Sequence, residues 1–333
     1  MKQTKQGYIP QNCTNLDHFP QIKGYDFNEK FDFNKFIKSY SQTGFQATNL
    51  GKAIHIIKAM IRENATIYLA ITSNMITSGV REVIKYLVQH KLVHVLITSA
   101  GGIEEDIIKS IKPFALGEFN SNGKILFDKG INRTGNIFIT SDRYTYFEKT
   151  LTPILDKAYR LQKEKKRPLC TSEIIDLAGK EIKNKESVLH WTSKNKIPVF
   201  CPALTDGAFG DMIYFAKQRH KDFYVDISKD MQDIINLTTN AEKTGLIILG
   251  GGVSKHFTLN AQIFKEGADY AVYVNTGNEY DGSDSGAKTD EAVTWGKIKA
   301  KAPQVKVHGD ASIIFPLIVA GVVNDLNPNT LKK

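Results

Sequence analysis

The 333-residue sequence predicts an α/β fold, a doubly wound and mostly parallel sheet with helices on both faces behind an N-terminal helical arm. Three observations predict it. Short β-branched runs alternate with segments whose apolar residues recur at helical spacing. Several runs are apolar throughout, as expected of strands buried on both faces of a parallel sheet. The connections after the runs are rich in Gly, Ser, Thr, Asp and Asn, which suits loops that carry a site.

Taken in order, residues 1–24 form a Pro- and Asn-rich arm and 25–333 a single domain. "FNKFIKSYSQTG" and "NLGKAIHIIKAMIREN" read as helices leading into the sheet. The strand candidates are "ATIYLAIT", "LVHVLITSA", "GNIFIT", "IPVFCPA", "FYVDI", "GLIILGGG", "YAVYVNT" and "VKVHGDA". Between them "GVREVIKYLVQHK", "IEEDIIKSIK", "DRYTYFEKTLTPILDKAYRL" and "GDMIYFAKQRH" carry helical spacing. No internal repeat and no long Gly/Ser linker divides the chain.

Composition narrows the function. A content of 41% hydrophobic and 24% charged residues is that of a globular soluble protein. A net charge of +9 would suit acidic partners, yet the lysines are spread out and no aromatic-basic alternation marks a base-stacking platform. Nucleic acid is therefore not an expected partner. Cys13, Cys170 and Cys201 lie far apart, which argues against a zinc site and a disulfide framework and fits a reducing compartment. No metal is expected. "MKQTKQGYIPQN" lacks the apolar core of a secretory signal, and "SIIFPLIVAGVV" is too short to span a bilayer and contains Pro316. A cytoplasmic protein without membrane contact is the expectation.

In a doubly wound sheet ligands bind beyond the carboxyl ends of the strands, so chemistry is expected in the loops there. "TSNMITSGV" (Thr72 to Val80) suits a phosphate or dinucleotide, or equally a helix cap. "TSAGGIEED" (Thr98 to Asp106) has paired glycines that admit close approach, but not the G-x-G-x-x-G fingerprint. Its Glu104 and Glu105 also suit a helix N-terminus simply as acids. In "CPALTDGAFGDMIYF" one of Asp206 and Asp211 could cap a helix, while a second acid at the same mouth invites a cation. "LGGGVSKHFTLNAQ" sets His256 and Asn260 at i and i+4 on one helix face, the histidine being either structural or catalytic.

The most informative loop is "NTGNEYDGSDSGAKTDEAVTWGK" (Asn275 to Lys297). It crowds Asp281, Asp284, Asp290 and Glu291 among Gly and Ser and ends at Trp295 and Lys297. The twelve-residue calcium pattern with its terminal Glu is missing. Acids plus an indole suit an organic polyamine, with carboxylates on the ammonium ends and an aromatic face over the methylene stem. Lys297 is the candidate nucleophile, whereas Lys299 and Lys301 read as solvated. "GDASIIF" adds Asp310 at a last strand end.

These segments, with "TGFQATNLGKAI", "ADYAVYVNT" and "DASIIFPL", closely resemble the deoxyhypusine synthase family in identity and order from about Gly24 to Val323. "DGSDSGA" followed by "DEAVTWGK" is the most specific signature. The resemblance implies a Rossmann-like, NAD-dependent transferase. Spermidine is oxidised, and its 4-aminobutyl group passes through an imine on an enzyme lysine to one lysine of the precursor of the hypusine-containing translation factor. 1,3-Diaminopropane is released, and the retained NADH reduces the final imine.

Position by position, the resemblance puts the nucleophile on Lys297 and a proton acceptor on His256. It puts polyamine contacts on Asp211, His256, Asp284, Glu291 and Trp295, with Asn260, Gly282, Ser283 and Ser285 close by. Gly251, Glu104 and Glu105 join that substrate set. NAD contacts fall on Ser73, Asn74, Met75, Ile76 and Thr77, and on Ser99, Ala100, Gly101 and Glu105. They continue at Asp206, Thr276, Gly277, Asp310 and Ala311. A homotetramer built from dimers is implied, with active sites at the dimer interface and an arm able to cover the partner's entrance. Two departures stand out. Lys288-Thr289 replaces a basic residue followed by proline, and "MIRENATIYLAI" lacks the insertion of animal members. The motifs leave two alternatives open: homospermidine synthase, with putrescine as acceptor, and a catalytically dead paralogue that activates a partner.

Overall fold

The computed structural model describes residues 14–326. Six strands form the central sheet: β1 (Thr66–Ile71), β2 (Val95–Ile97), β3 (Val199–Phe200), β4 (Thr244–Leu249), β5 (Tyr270–Asn275) and β6 (Gln304–His308). Their order is β6-β5-β4-β1-β2-β3, and every neighbouring pair is parallel. This is the doubly wound order with its reversal between β1 and β4.

The two-residue period of the strands divides the core into two layers. Leu69, Ile71, Ile247, Leu249, Val272 and Val274 face one layer, which helices Phe45–Arg62, Val80–Gln89 and Ala311–Val323 cover. Tyr68, Ala70, Leu246, Ile248, Ala271 and Tyr273 face the other, beneath helices Ile227–Asn240 and Gly252–Gln262. Burial on both faces explains why these runs carry no polar alternation. Each buried Leu or Ile contributes about 1.5–3 kcal/mol, so the strands are held mainly by their faces.

Two predicted strands lie outside this sheet. "GNIFIT" supplies Ile137–Thr140 to an antiparallel sheet with Ala115–Leu116 and Ile131–Thr134. Gly135, at φ +59°, and Asn136 form a two-residue hairpin that pairs the run with its own neighbour. "FYVDI" contributes only Val225–Asp226, paired with Leu169–Cys170. Asp226 then caps helix Ile227–Asn240 by accepting from the Ser228 and Lys229 amides, which ends the strand.

The helical lead-in starts at Phe33, where Asp32 accepts from the Lys35 amide at 3.0 Å. Of the predicted arm, residues 1–13 lie outside the described residues, and 14–24 contain no helix. Among the described residues no helix is long and apolar enough to cross a membrane, and "SIIFPLIVAGVV" is a helix packed on the first core layer.

Candidate active site

Because all six strands are parallel, the loops after them open on one edge of the sheet. Gly250 follows β4 with φ +88°, and a Cβ there would lie 2.5 Å from Thr72 Oγ1 across the strand-order reversal. Only glycine lets these two loops approach so closely. A Cβ on Gly251 would sit 2.5 Å from Ser285 Oγ. That contact seats the Gly-rich turn against the "DGSDSG" loop, and the Gly252 amide donates to Ser285 Oγ at 2.9 Å.

On the β1–β2 side, Ser73 and Ser99 stand at the starts of helices Asn74–Thr77 and Ala100–Ile111, yet neither side chain makes a capping bond. Capping therefore does not account for them. Ser73 meets Gly101, where a Cβ would come 2.8 Å from Ser73 Cβ. Asn74 is exposed, but Met75 and Ile76 belong to the core and leave only backbone to a ligand. Lys109 Nζ holds this turn, donating to the carbonyls of Ile76, Thr77 and Ser78 at 2.9, 3.2 and 3.1 Å.

Thr77 donates to the Glu105 carboxylate. Burial, with repulsion from Glu104, raises Glu105 to about 7. Glu104 is itself buried, and burial raises its pKa too, with the exposed Asp211 and Asp206 adding repulsion. Its Oε2 accepts from the Phe209 amide at 3.0 Å, so Glu104 brackets helix Ala208–Arg219, whose own cap position is Gly207. Beyond β5 and β6, Thr276 is exposed, Gly277 donates its amide to Asn275 Oδ1 at 3.1 Å, and Asp310 caps the helix that begins at the buried Ala311.

On the β4–β5 side, one cavity is lined by Lys297, Asp284, Glu291, Trp295, Tyr273 and Lys255, among others. Lys297 is only 7% exposed, and its Nζ lies 5.7 Å from the centre of the Trp295 indole. Its backbone is fixed on both sides. The Lys297 amide donates to Ala292 O at 2.9 Å, closing helix Thr289–Thr294, and its carbonyl accepts from Ala268 N at 3.0 Å. Lys299 keeps 42% of its side chain exposed, as expected, and pairs with Asp269 at the foot of β5 at 2.6 Å. Lys301 is exposed.

His256 does not join this cavity. It is exposed, and its Nδ1 pairs with Asn260 Nδ2 at 3.1 Å, so the i, i+4 relation holds on the outer face of the helix. Gly282 and Ser283 are exposed, while Asp284 and Ser285 are partly buried. A single chain thus gathers Lys297, Asp284, Glu291 and Trp295 in one place, and Glu104, Glu105, Asp206 and Asp211 in another.

Three side chains of the site were not read from the sequence. Lys255 is 1% exposed and donates to the carbonyls of Asp284 and Ala287. Burial lowers its pKa, and Lys306 and Lys297 add repulsion. Lys306 donates to Gly277 O and Gly286 O. These two ammonium groups pin the acidic loop from below, and Lys288 pairs with Glu279 across it. Lys255 was visible in principle: it lies at i, i+4 and i+7 with the buried Leu259 and Gln262, a lysine on a buried stripe. Tyr273 sits inside an apolar strand, where nothing marks it as other than core.

Tyr273 OH and Asp284 Oδ2 are buried atoms with no hydrogen-bond partner. Leaving one such group unpaired costs about 1–3 kcal/mol. Away from the site, Cys170 lies near Asp230 and Asp233, their ligand atoms within 4.8 Å. Asp230 is engaged by Thr171 and Ser172 at a helix start, and burial pushes the Cys170 thiol up to about 12, so the group reads as structural. Cys201 is buried as well.

The deoxyhypusine synthase family model matches residues 35–322. A probable deoxyhypusine synthase of Dictyostelium discoideum is 46% identical, over 94% of this chain and 89% of its own length. The deoxyhypusine synthase of Senecio vernalis is 47% identical, over 90% of this chain and 88% of its own. Among solved structures, a putative deoxyhypusine synthase from Entamoeba histolytica superposes with a TM-score of 0.64 at 31% identity, over 91% of this chain and 97% of that one. With the family model matched over residues 35–322 and relatives 46% and 47% identical over at least 90% of its length, the chain belongs to the deoxyhypusine synthase family.

Proposed function

We propose that this enzyme transfers the 4-aminobutyl group of spermidine, with NAD as cofactor and through an imine on Lys297, to a lysine of the hypusine-containing translation factor precursor. The observation that carries the reading is a buried lysine sharing a cavity with two carboxylates and an indole. Asp284 and Glu291 suit the ammonium ends of a polyamine, and Trp295 suits its methylene stem. Fixing those ends decides which carbon faces the nucleophile. Lys297 attacks only as the free amine, so it must give up its proton before the C–N bond forms.

The β1–β2 edge fits a dinucleotide. Ser73 and Ser99 offer hydroxyls not used in capping, Gly101 permits close backbone approach, and Glu105 can accept from a ribose hydroxyl. Bound NAD supplies a hydride acceptor and, once reduced, the donor that closes the cycle. Glu105 accepts such a bond most strongly when ionised, and burial raises its pKa to about 7. NAD affinity is therefore expected to rise about five- to tenfold between about pH 6 and pH 8, a dependence that Glu105→Gln flattens. Calorimetric titration at the two pH values checks this, and a wild-type affinity that is flat or falls with pH removes Glu105 from the role.

Asp211 and His256 lie outside the cavity of their own chain, and Trp295 is 66% exposed there. We infer that a second copy closes the site within a homotetramer. A monomer in light scattering at assay concentration would overturn that. The function itself is tested by incubating the protein with spermidine, NAD and either the factor precursor or putrescine. Deoxyhypusine on the precursor is expected, and homospermidine as the only product would overturn the assignment.

A further inference from the structure

Tyr273 projects from β5 into the same cavity as Lys297, with its side chain fully buried. Lys255 Nζ stands 4.8 Å from the centre of its ring. Its hydroxyl has no partner, and neither has Asp284 Oδ2 in the same cavity. Two buried polar atoms left open on one cavity wall point to a ligand carrying nitrogens that can exchange hydrogen bonds with both. A phenylalanine at this position would fill the same space without an unpaired hydroxyl. The hydroxyl is therefore explained by the reaction better than by the fold.

We propose that the Tyr273 hydroxyl carries the proton exchanged between two nitrogens when the aminobutyl group moves from the oxidised polyamine onto Lys297, an inference that rests on the function proposed above. The Lys297 nitrogen adds to the C=N carbon, forming one N–C bond and leaving a carbon that bears two nitrogens. The bond from that carbon to the 1,3-diaminopropane nitrogen then breaks and the enzyme imine forms. No oxidation state changes in this exchange. The Lys297 nitrogen must shed one proton and the departing nitrogen must gain one. A neutral phenol gives its proton to the departing nitrogen as it receives the other, and ends unchanged. Burial holds the Tyr273 pKa well above its ordinary value, so the group stays neutral throughout.

The test is Tyr273→Phe in the full chain with NAD and spermidine and no acceptor. Nicotinamide reduction in the first turnover should stay within about twofold of wild type, while release of 1,3-diaminopropane and borohydride-trapped adduct on Lys297 should fall about 10- to 100-fold. The melting temperature should be unchanged or higher, because an unpaired buried group has gone. Trapping at the wild-type rate would overturn the proposal, and so would an equal loss of nicotinamide reduction. A lowered melting temperature would assign the hydroxyl to the fold and overturn it too. A wild-type enzyme that traps no adduct would instead sink the transfer reading itself.

Discussion

Replacing Lys297 with alanine is expected to lower aminobutyl transfer about a thousandfold or more while NAD affinity stays within about twofold. The loss should be this large because the neighbouring amine cannot substitute. Lys255 lines the same cavity, but its nitrogen donates to the carbonyls of Asp284 and Ala287 and cannot turn to a substrate carbon without breaking both contacts. Lys297 is buried and positioned by its own backbone, between the end of helix Thr289–Thr294 and the foot of β5. Borohydride reduction during turnover with labelled spermidine, followed by peptide mapping, separates the two lysines. Label on Lys255, or full activity in Lys297→Ala, would sink the mechanism. Lys297→Arg should be as inactive as alanine, since an arginine side chain keeps its proton.

How much of this was legible in the sequence depended on how local the signal was. The strand runs β1, β2, β4 and β5 were readable because burial on both faces leaves a continuous apolar word, and β6 because its buried valines alternate with polar residues. The misassigned "GNIFIT" carries the same residue types, but Gly135-Asn136 hands it to an adjacent hairpin partner. A local turn outcompeted the distant sheet. In the site, acids and glycines clustered within one loop announced themselves, whereas Tyr273 and Lys306 reach it from strand positions that alternate like any others. His256 shows the opposite limit. Its helix spacing with Asn260 was correct, yet spacing did not say that the histidine would stand exposed, outside the lining of the lysine cavity. Glu104 divides the same way: an acid near a helix start was read, but it serves the start of a different helix, one that begins at Ala208.

The largest effect on stability is expected at Asp106, which no functional reading singles out. It is 0% exposed and pairs with the 3% exposed Arg81 at 2.7 Å. It also accepts from Ser187 Oγ at 2.6 Å and from the Val188 and Leu189 amides at 3.0 Å each. Asp106→Ala strips all of these at once, leaving the buried guanidinium only the half-exposed Glu82 at 3.7 Å as countercharge and two amides at the start of helix Val188–Asn195 without an acceptor. The cost should be about 3–5 kcal/mol, read as a shift of the urea midpoint at unchanged slope. By contrast Glu181→Ala, which removes the exposed partner of Lys157, should cost less than about 1 kcal/mol. Because Asp106 lies on the helix that begins at Ala100 and carries Glu104 and Glu105, its loss should also loosen the β1–β2 edge of the site. NAD affinity should then fall although no contact to the cofactor has been removed. If Asp106→Ala unfolds no more readily than Glu181→Ala, the buried pair is not what fastens that helix to the fold.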